Sequence, residues 1–277
     1  MAAHALLNAF RANKPAFGTW LTTGGFVHAR SLARALVGTP QQQSWIMLDC
    51  EHGLLPLNPA RATEVIAAIH GVRDGPSALV RIPATGQGVG NGSEGVNWQI
   101  KYALDAGARG VLVPMVSTPA QAREVVLSSR FPPVGRRGFG SPYTQENWDI
   151  QTAGEYLNVA NESVVVLVQI ETREGVQNVQ AIAEVDGIDG LFIGPYDLSI
   201  SLGYPPPSPD PHPQVEQVIQ EILAVAHKAG KKCAMFCTSG TQAARRAAEG
   251  FDMINVTSDV GAMQSGLAAE FRAAASA

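Results

Sequence analysis

The sequence predicts an α/β fold, a (β/α)8 barrel of the TIM type forming a single domain over residues 1–277, and three observations carry that prediction. Eight short apolar, β-branched runs recur along the chain with helix-like segments between them, bounded by Gly, Pro or polar residues. Most of these runs are apolar throughout instead of alternating, as parallel strands covered on both faces are. The chain of 277 residues is long enough for two domains of roughly 150 residues or one large barrel, and no linker divides it. A doubly wound open sheet is the alternative with the same element pattern.

In chain order, residues 1–10 read as an amphipathic helix: no basic segment precedes the apolar residues, and Arg11 and Lys14 follow them, which argues against a cleaved signal. The first strand is FGTWL at 17–21, the second WIMLDC at 45–50 and the third ALVRIP at 78–83. Then come GVLVPM at 110–115, VVVLVQIE at 164–171 and GLFIGPYD at 190–197, followed by KCAMFCT at 232–238 and MINVTSD at 253–259. Helical patterns fill 59–69, 98–106, 119–128, 176–183, 214–229 and 241–249. Several end on glycine, at Gly107, Gly230 and Gly250, where a left-handed cap is favoured. Eight strand-then-helix units within about 250 residues match a closed barrel. Two stretches interrupt the rhythm: a Gly-rich loop at 84–97, directly after the third strand, and a long segment at 131–148.

Composition excludes several classes of function. Charged residues make up 16% of the chain, and 20 basic against 24 acidic side chains leave a net charge of −4. No basic footprint for nucleic acid or an anionic membrane surface results. No apolar run approaches the ~18–20 residues of a membrane span. Cys50, Cys233 and Cys237 are an odd number without zinc spacing, which fits a reducing, cytoplasmic setting. Gly90 to Gly95 satisfies GxGxxG, but its first glycine lies seven residues beyond Pro83 and no acidic residue follows near 115, so no nucleotide cofactor is expected.

Barrel active sites draw on the carboxyl ends of the strands, so the polar residues closing each run are the candidates. They are Asp49, Glu51 and His52 after the second strand, Arg81 in the third, Gln169 and Glu171 closing the fifth, and Asp197 closing the sixth. Glu171 and Asp197 end neighbouring strands, and two ionised carboxylates held close call for a proton or a hard divalent ion. The ordinary alternative is a helix cap or an arginine partner. Arg81, inside an apolar strand, needs an anion, either a protein carboxylate or a substrate carboxylate held at two points. His52, beside Asp49 and Glu51, is the candidate general base. Lys14, Lys101, Lys228, Lys231 and Lys232 all miss the strand ends, which disfavours a Schiff base and favours a metal electrophile.

With FGTWL, WIMLDCEHG, LVRIP, IKYALDAGARGVLVPMVST, FPPVGRRGFGSP, VQIETREGVQN and IDGLFIGPYDLSISLG, the chain resembles the HpcH/HpaI family of class II, metal-dependent 2-oxo acid aldolases from about Phe17 to Asp259. That resemblance implies that Glu171 and Asp197 hold Mg2+ or Mn2+, with Co2+ as a further candidate, and that Arg81 and Gln169 contact a 2-oxo acid. It implies that the backbone from Gly194 through Pro195 and Tyr196 receives the acid's carboxylate. His52 matches the acid/base histidine, Asp49 the acidic residue of the same loop and Asp105 the histidine's dyad partner, brought near by the fold or by a neighbouring subunit. FPPVGRRGFGSP and AGEYLNVAN further resemble a fungal macrophomate-synthase-like branch, which implies a substrate role for Tyr156.

The expected function is cleavage or formation of a C–C bond between pyruvate, as its enolate, and an aldehyde, through a 4-hydroxy-2-oxo acid. Oxaloacetate decarboxylation by the same enolate is the alternative, and a non-catalytic organic-acid-binding barrel is the third. The loops at 84–97 and 131–148 are expected to line the pocket. Met263, Leu267 and Phe271 form an apolar stripe on the last helix. That helix packs on its own barrel or, as the resemblance implies, is exchanged between subunits of a homo-oligomer, a trimer or hexamer.

Overall fold

A computed structural model describes residues 4–83 and 96–276. Eight parallel strands close in sequence order, β1 through β8, with β8 pairing back onto β1. They are β1 (Ala16–Leu21), β2 (Trp45–Asp49), β3 (Ser77–Arg81), β4 (Gly110–Val113), β5 (Val165–Ile170), β6 (Gly190–Ile193), β7 (Lys232–Met235) and β8 (Met253–Ser258). The helices before β5 are α1 (Ala5–Arg11), α2 (Phe26–Arg34), α3 (Pro59–His70), α4 (Val96–Asp105), α5 (Pro119–Ser129), α6 (Pro142–Asn147) and α7 (Ala153–Ser163). Those after it are α8 (Arg173–Gln177), α9 (Val179–Ala183), α10 (Pro195–Leu202), α11 (Pro213–Lys228), α12 (Gly240–Glu249) and α13 (Asp259–Ala275). The barrel is the one the strand pattern predicts.

Two apolar layers hold it. Between strands and helices lies a continuous core that includes Ile46, Val80, Val166 and Ile193. Inside the barrel, Trp20, Met47, Leu79, Leu112, Leu167 and Phe192 form a second core, which Leu6 and Phe10 of α1 join. Strand side chains alternate between the two faces. The interior position after Met47 is therefore Asp49, that after Leu79 is Arg81 and that after Leu167 is Gln169. Apolar side chains fill the lower barrel, and the next inward position on each of these strands is polar. Gly18 lets Trp45 pack inside, since a Cβ there would lie 2.1 Å from the indole.

The structure departs from the sequence reading at several places that bear on the site. β6 ends at Ile193, and Asp197 belongs to the first turn of α10, where Pro195 begins a helix. The segment at 131–148 is no loop at the mouth. It packs against the lower end of α4, where Ser141 and Thr144 hydroxyls each donate to the Asp105 carbonyl at 2.8 Å and Trp148 Nε1 donates to the Gly107 carbonyl at 2.9 Å. The segment after it forms α7, capped by a reciprocal Thr152–Glu155 pair. Of the other interrupting stretch, 84–97, residues 84–95 lie outside the described residues, and so does the GxGxxG match. α13 is buried only at Asp259, and from Ala262 onward its side chains are exposed.

Candidate active site

A cavity of about 410 Å³ opens at the carboxyl end of the barrel. Asp49, His52, Arg81, Gln169, Gly194 and Asp197 line it, as do Pro195 and Tyr196. Sequence-predicted residues from four separate strand ends are thus brought to one mouth.

Asp49 and Arg81 are paired in register across β2 and β3. Arg81 Nε and Nη2 donate to the two carboxylate oxygens of Asp49 at 3.0 and 2.7 Å, and Glu51 Oε2 lies 3.3 Å from Nε. The guanidinium sits 4.1 Å from the Trp20 ring centroid. Arg81 therefore finds the protein carboxylate that the sequence left as one of two options. The Nε/Nη2 edge of the guanidinium is occupied by Asp49, and its Nη1 side is the part left to a ligand. Asp49 also accepts from the backbone N–H groups of Glu51 and His52 at 3.2 and 3.1 Å. It anchors the loop that carries His52, and the carboxylate facing the imidazole is that of Glu51, 3.7 Å from Nε2.

Glu171 is buried one residue past β5. Its Oε1 accepts from the Met115 backbone N–H at 2.8 Å and its Oε2 from Gln169 Nε2 at 2.6 Å. Met115 adopts a left-handed conformation, φ 58°, at this contact. Burial pushes the Glu171 carboxyl up to about 7, and Asp197 and Glu51 push the same way against the hydrogen bonds from Met115 and Gln169. A cation would relieve that shortage of positive charge. Gln169 Oε1, buried, has no hydrogen-bond partner among the described residues. At Gly194 a Cβ would lie 2.2 Å from Glu171 Oε2 and 2.6 Å from Gln169 Nε2, so only glycine fits there.

These features fit a divalent cation held by Glu171 and Asp197. Among the described residues no group of three or more His, Cys, Asp or Glu side chains is placed to hold a metal, so the remaining ligands would be water and substrate oxygens, as Mg2+ tolerates. The amino end of α10, with Gly194 as its cap and Asp197 in its first turn, lies in the same wall and favours an anion.

Two predicted residues fall elsewhere. Asp105 ends α4, the helix that leads into the start of β4, so it lies at the face opposite the mouth. Its oxygens accept from Arg137 Nη2 at 3.0 Å and Lys101 Nζ at 2.6 Å. Within one chain it does not meet His52. Tyr156 is buried in the helix layer, its ring edge-on to Trp148 at 5.2 Å and to Phe131 at 5.8 Å, and is absent from the cavity lining.

The far wall was not foreseen. Trp20, Phe192 and Phe236 line it, with Trp20 edge-on to Phe192 at 6.0 Å and to Phe236 at 5.8 Å. Tyr196 meets Phe236 at 6.2 Å. Thr22, Thr238 and Ser258 complete that side. Spacing by two from interior residues (Trp20 to Thr22, Phe236 to Thr238) is the signal that finds the two threonines.

Comparison with known proteins adds to this geometry. The profile of the HpcH/HpaI aldolase/citrate lyase family matches residues 24–265. A 4-hydroxy-2-oxo-heptane-1,7-dioate aldolase of Salmonella typhimurium is 36% identical over 230 residues, 82% of this chain and 78% of that protein. Among solved structures, an HpcH/HpaI aldolase/citrate lyase family protein from Burkholderia cenocepacia J2315 superposes with a TM-score of 0.83 at 30% identity, covering 98% of this chain and 99% of that one. Macrophomate synthase superposes with a TM-score of 0.79 at 26% identity, covering 98% and 89%. It is one structural neighbour among several.

Proposed function

The chain belongs to the HpcH/HpaI aldolase/citrate lyase family, a 4-hydroxy-2-oxo acid aldolase and carbon–carbon lyase by that kinship, and we propose that it releases pyruvate and an aldehyde with a divalent cation held by Glu171 and Asp197. The observation that carries this reading is the buried Glu171 carboxylate, fixed at both oxygens and pushed up to about 7 beside a cavity that the amino end of α10 lines.

When bound, the cation supplies Lewis-acid stabilisation for the negative oxygen that develops as the C–C bond breaks. The chain's own groups do the rest. Arg81, locked by Asp49, Glu51 and Trp20, keeps a fixed positive charge beside the keto acid and presents Nη1 to it. Gln169 fixes one oxygen of Glu171 and offers its free carbonyl oxygen to the same space. The backbone N–H groups of the first turn of α10 receive the substrate carboxylate. His52 takes the proton of the 4-hydroxyl group, with the Glu51 carboxylate 3.7 Å from its Nε2. The proton returns to the enolate carbon to give pyruvate. The bonds balance with no covalent enzyme intermediate.

Mg2+ and Mn2+ suit an all-oxygen site of two carboxylates. We further assign the exposed stripe of α13, where Met263, Leu267 and Phe271 are 57%, 54% and 73% exposed, to contact with a second copy of the chain in a homo-oligomer. A copy arranged so is the route by which an Asp105 could reach a His52. Among the described residues no helix is long and apolar enough to cross a membrane.

The test is a comparison of two reactions in His52→Ala. Aldol cleavage, which needs the hydroxyl proton removed, is expected to fall at least about 100-fold. Pyruvate release from oxaloacetate, which needs no such step, is expected to persist. Equal loss of both contradicts the role given to His52, and undiminished cleavage does so as well.

A further inference from the structure

The hydroxyl groups of the far wall have a direction. Thr22 Oγ1 lies 2.6 Å from Asp259 Oδ1, and the backbone N–H groups of Thr22 and Thr23 donate to the two oxygens of the same carboxylate at 3.0 Å each. Thr23 Oγ1 and His28 Nε2 complete its surroundings at 2.6 and 3.0 Å. Against the pull of burial, these donors bring the Asp259 carboxyl down to about 2. Asp259 can only accept, so the Thr22 hydroxyl hydrogen is spent on it.

Thr238 is fixed in the same sense. Its Oγ1 lies 2.9 Å from Gln242 Oε1, which also accepts from the Thr238 backbone N–H at 3.0 Å. The amide of Gln242 cannot be turned over, because its Nε2 donates to the Pro209 carbonyl at 2.8 Å and to Asp210 Oδ1 at 3.1 Å. The Thr238 hydroxyl hydrogen is therefore spent as well. What Thr22 and Thr238 can offer a ligand is a lone pair. Ser258 Oγ is the converse: it accepts from Gly261 N–H at 3.0 Å, which leaves its own hydrogen to give.

A carboxylate, which only accepts, would meet lone pairs at two of these three places. Among the described lining residues, the guanidinium of Arg81 is paired with Asp49 and Glu51 and gives its Nη1 side to the keto acid. A hydroxyl group both donates and accepts and satisfies all three, and the aromatic faces of Trp20 and Phe236 suit the C–H side of a short polyol chain. We infer that the aldehyde partner of this enzyme is an uncharged hydroxyaldehyde, whose hydroxyl hydrogens are accepted by Thr22 and Thr238. This rests on the aldolase reading above and names the substrate class of the same site.

The test uses the full-length protein loaded with Mg2+, pyruvate as the donor, and glyceraldehyde, lactaldehyde, propanal and succinic semialdehyde as acceptors. Exchange of pyruvate methyl protons in D2O is followed in parallel. Expected is exchange, with kcat/KM for glyceraldehyde and lactaldehyde about tenfold or more above that for propanal, and succinic semialdehyde lowest. In Thr238→Val the ratio of glyceraldehyde to propanal is expected to fall to about one half-decade or less, while Thr238→Ser, which keeps the hydroxyl, retains it. Exchange with succinic semialdehyde preferred, or a ratio unchanged in Thr238→Val, overturns the inference and leaves the aldolase reading standing. No exchange at all overturns both.

Discussion

Gly194 and Glu171 are in contact in a way that no other residue at 194 would permit: a Cβ there would stand 2.2 Å from Glu171 Oε2. The obstructed atom is a carboxylate buried at both ends of its hydrogen bonds, so it cannot swing aside cheaply. Gly194→Ala is expected to cut kcat/KM by about 100-fold or more, as a displacement near 1 Å does. The far-ultraviolet circular dichroism spectrum should stay that of the wild type, since residue 194 adopts φ −94° and ψ 92°, open to any side chain. Steady-state kinetics and the spectrum together check this.

Arg81 is buried with Asp49, and breaking such a pair leaves an uncompensated charge. Asp49→Ala is expected to destabilise the fold by about 3 kcal/mol, Glu51 at 3.3 Å retaining part of the pairing. Replacing both partners at once, Asp49→Leu with Arg81→Met, is expected to cost less than the single change. Urea denaturation at pH 7 decides between them. A larger loss in the double variant would contradict the account.

His4 and His70 give the fold a pH dependence at the end opposite the mouth. Burial depresses each to about 3, and Arg109 adds to the effect. His4 Nδ1 meets Ser77 Oγ at 2.9 Å, and His70 Nε2 accepts the Ala78 N–H at 3.2 Å. The unfolded chain takes up protons at these histidines near pH 6.5, and the folded chain resists until about pH 3. Their effect is therefore constant above pH 6.5, and stability falls as pH drops through the window from 6.5 to 3. In urea melts between pH 8 and pH 4, His4→Gln is expected to lose stability less steeply than the wild type. Parallel curves would refute this.

The exposed stripe of α13 makes a prediction about assembly. Phe271→Asp places a charge on the most exposed of its three apolar side chains and is expected to lower the molar mass in light scattering to that of a smaller species. A wild-type monomer would contradict the contact with a second copy.

The barrel was legible because its strands are apolar on both faces, and the polar residues that end them stand out for the same reason. Asp49, His52, Arg81, Gln169 and Glu171 were found so, and all except Glu171 line one cavity, with Glu171 hydrogen-bonded to Gln169 beside it. Trp20, Phe192 and Phe236 were hidden because an inward aromatic near the mouth reads like any core residue. Thr22 was hidden because a hydroxyl after a strand reads as a turn, and Thr238, which closes the seventh run, carries no charge to set it apart. Asp105 and Tyr156 lie outside the cavity of the single chain for a different reason. A helix end carries no mark of which barrel face it reaches, and Asp105 sits where α4 returns to begin β4.

Titration of the chelator-treated protein with Mn2+, followed by calorimetry and by pyruvate release from a 4-hydroxy-2-oxo acid, tests the pair Glu171 and Asp197 most directly. The wild type is expected to bind one ion per chain and to recover turnover in proportion to it. Glu171→Gln and Asp197→Asn should bind at least about tenfold more weakly and turn over little at saturation. Full turnover in the metal-free protein, or wild-type affinity in both variants, would contradict the account at its centre.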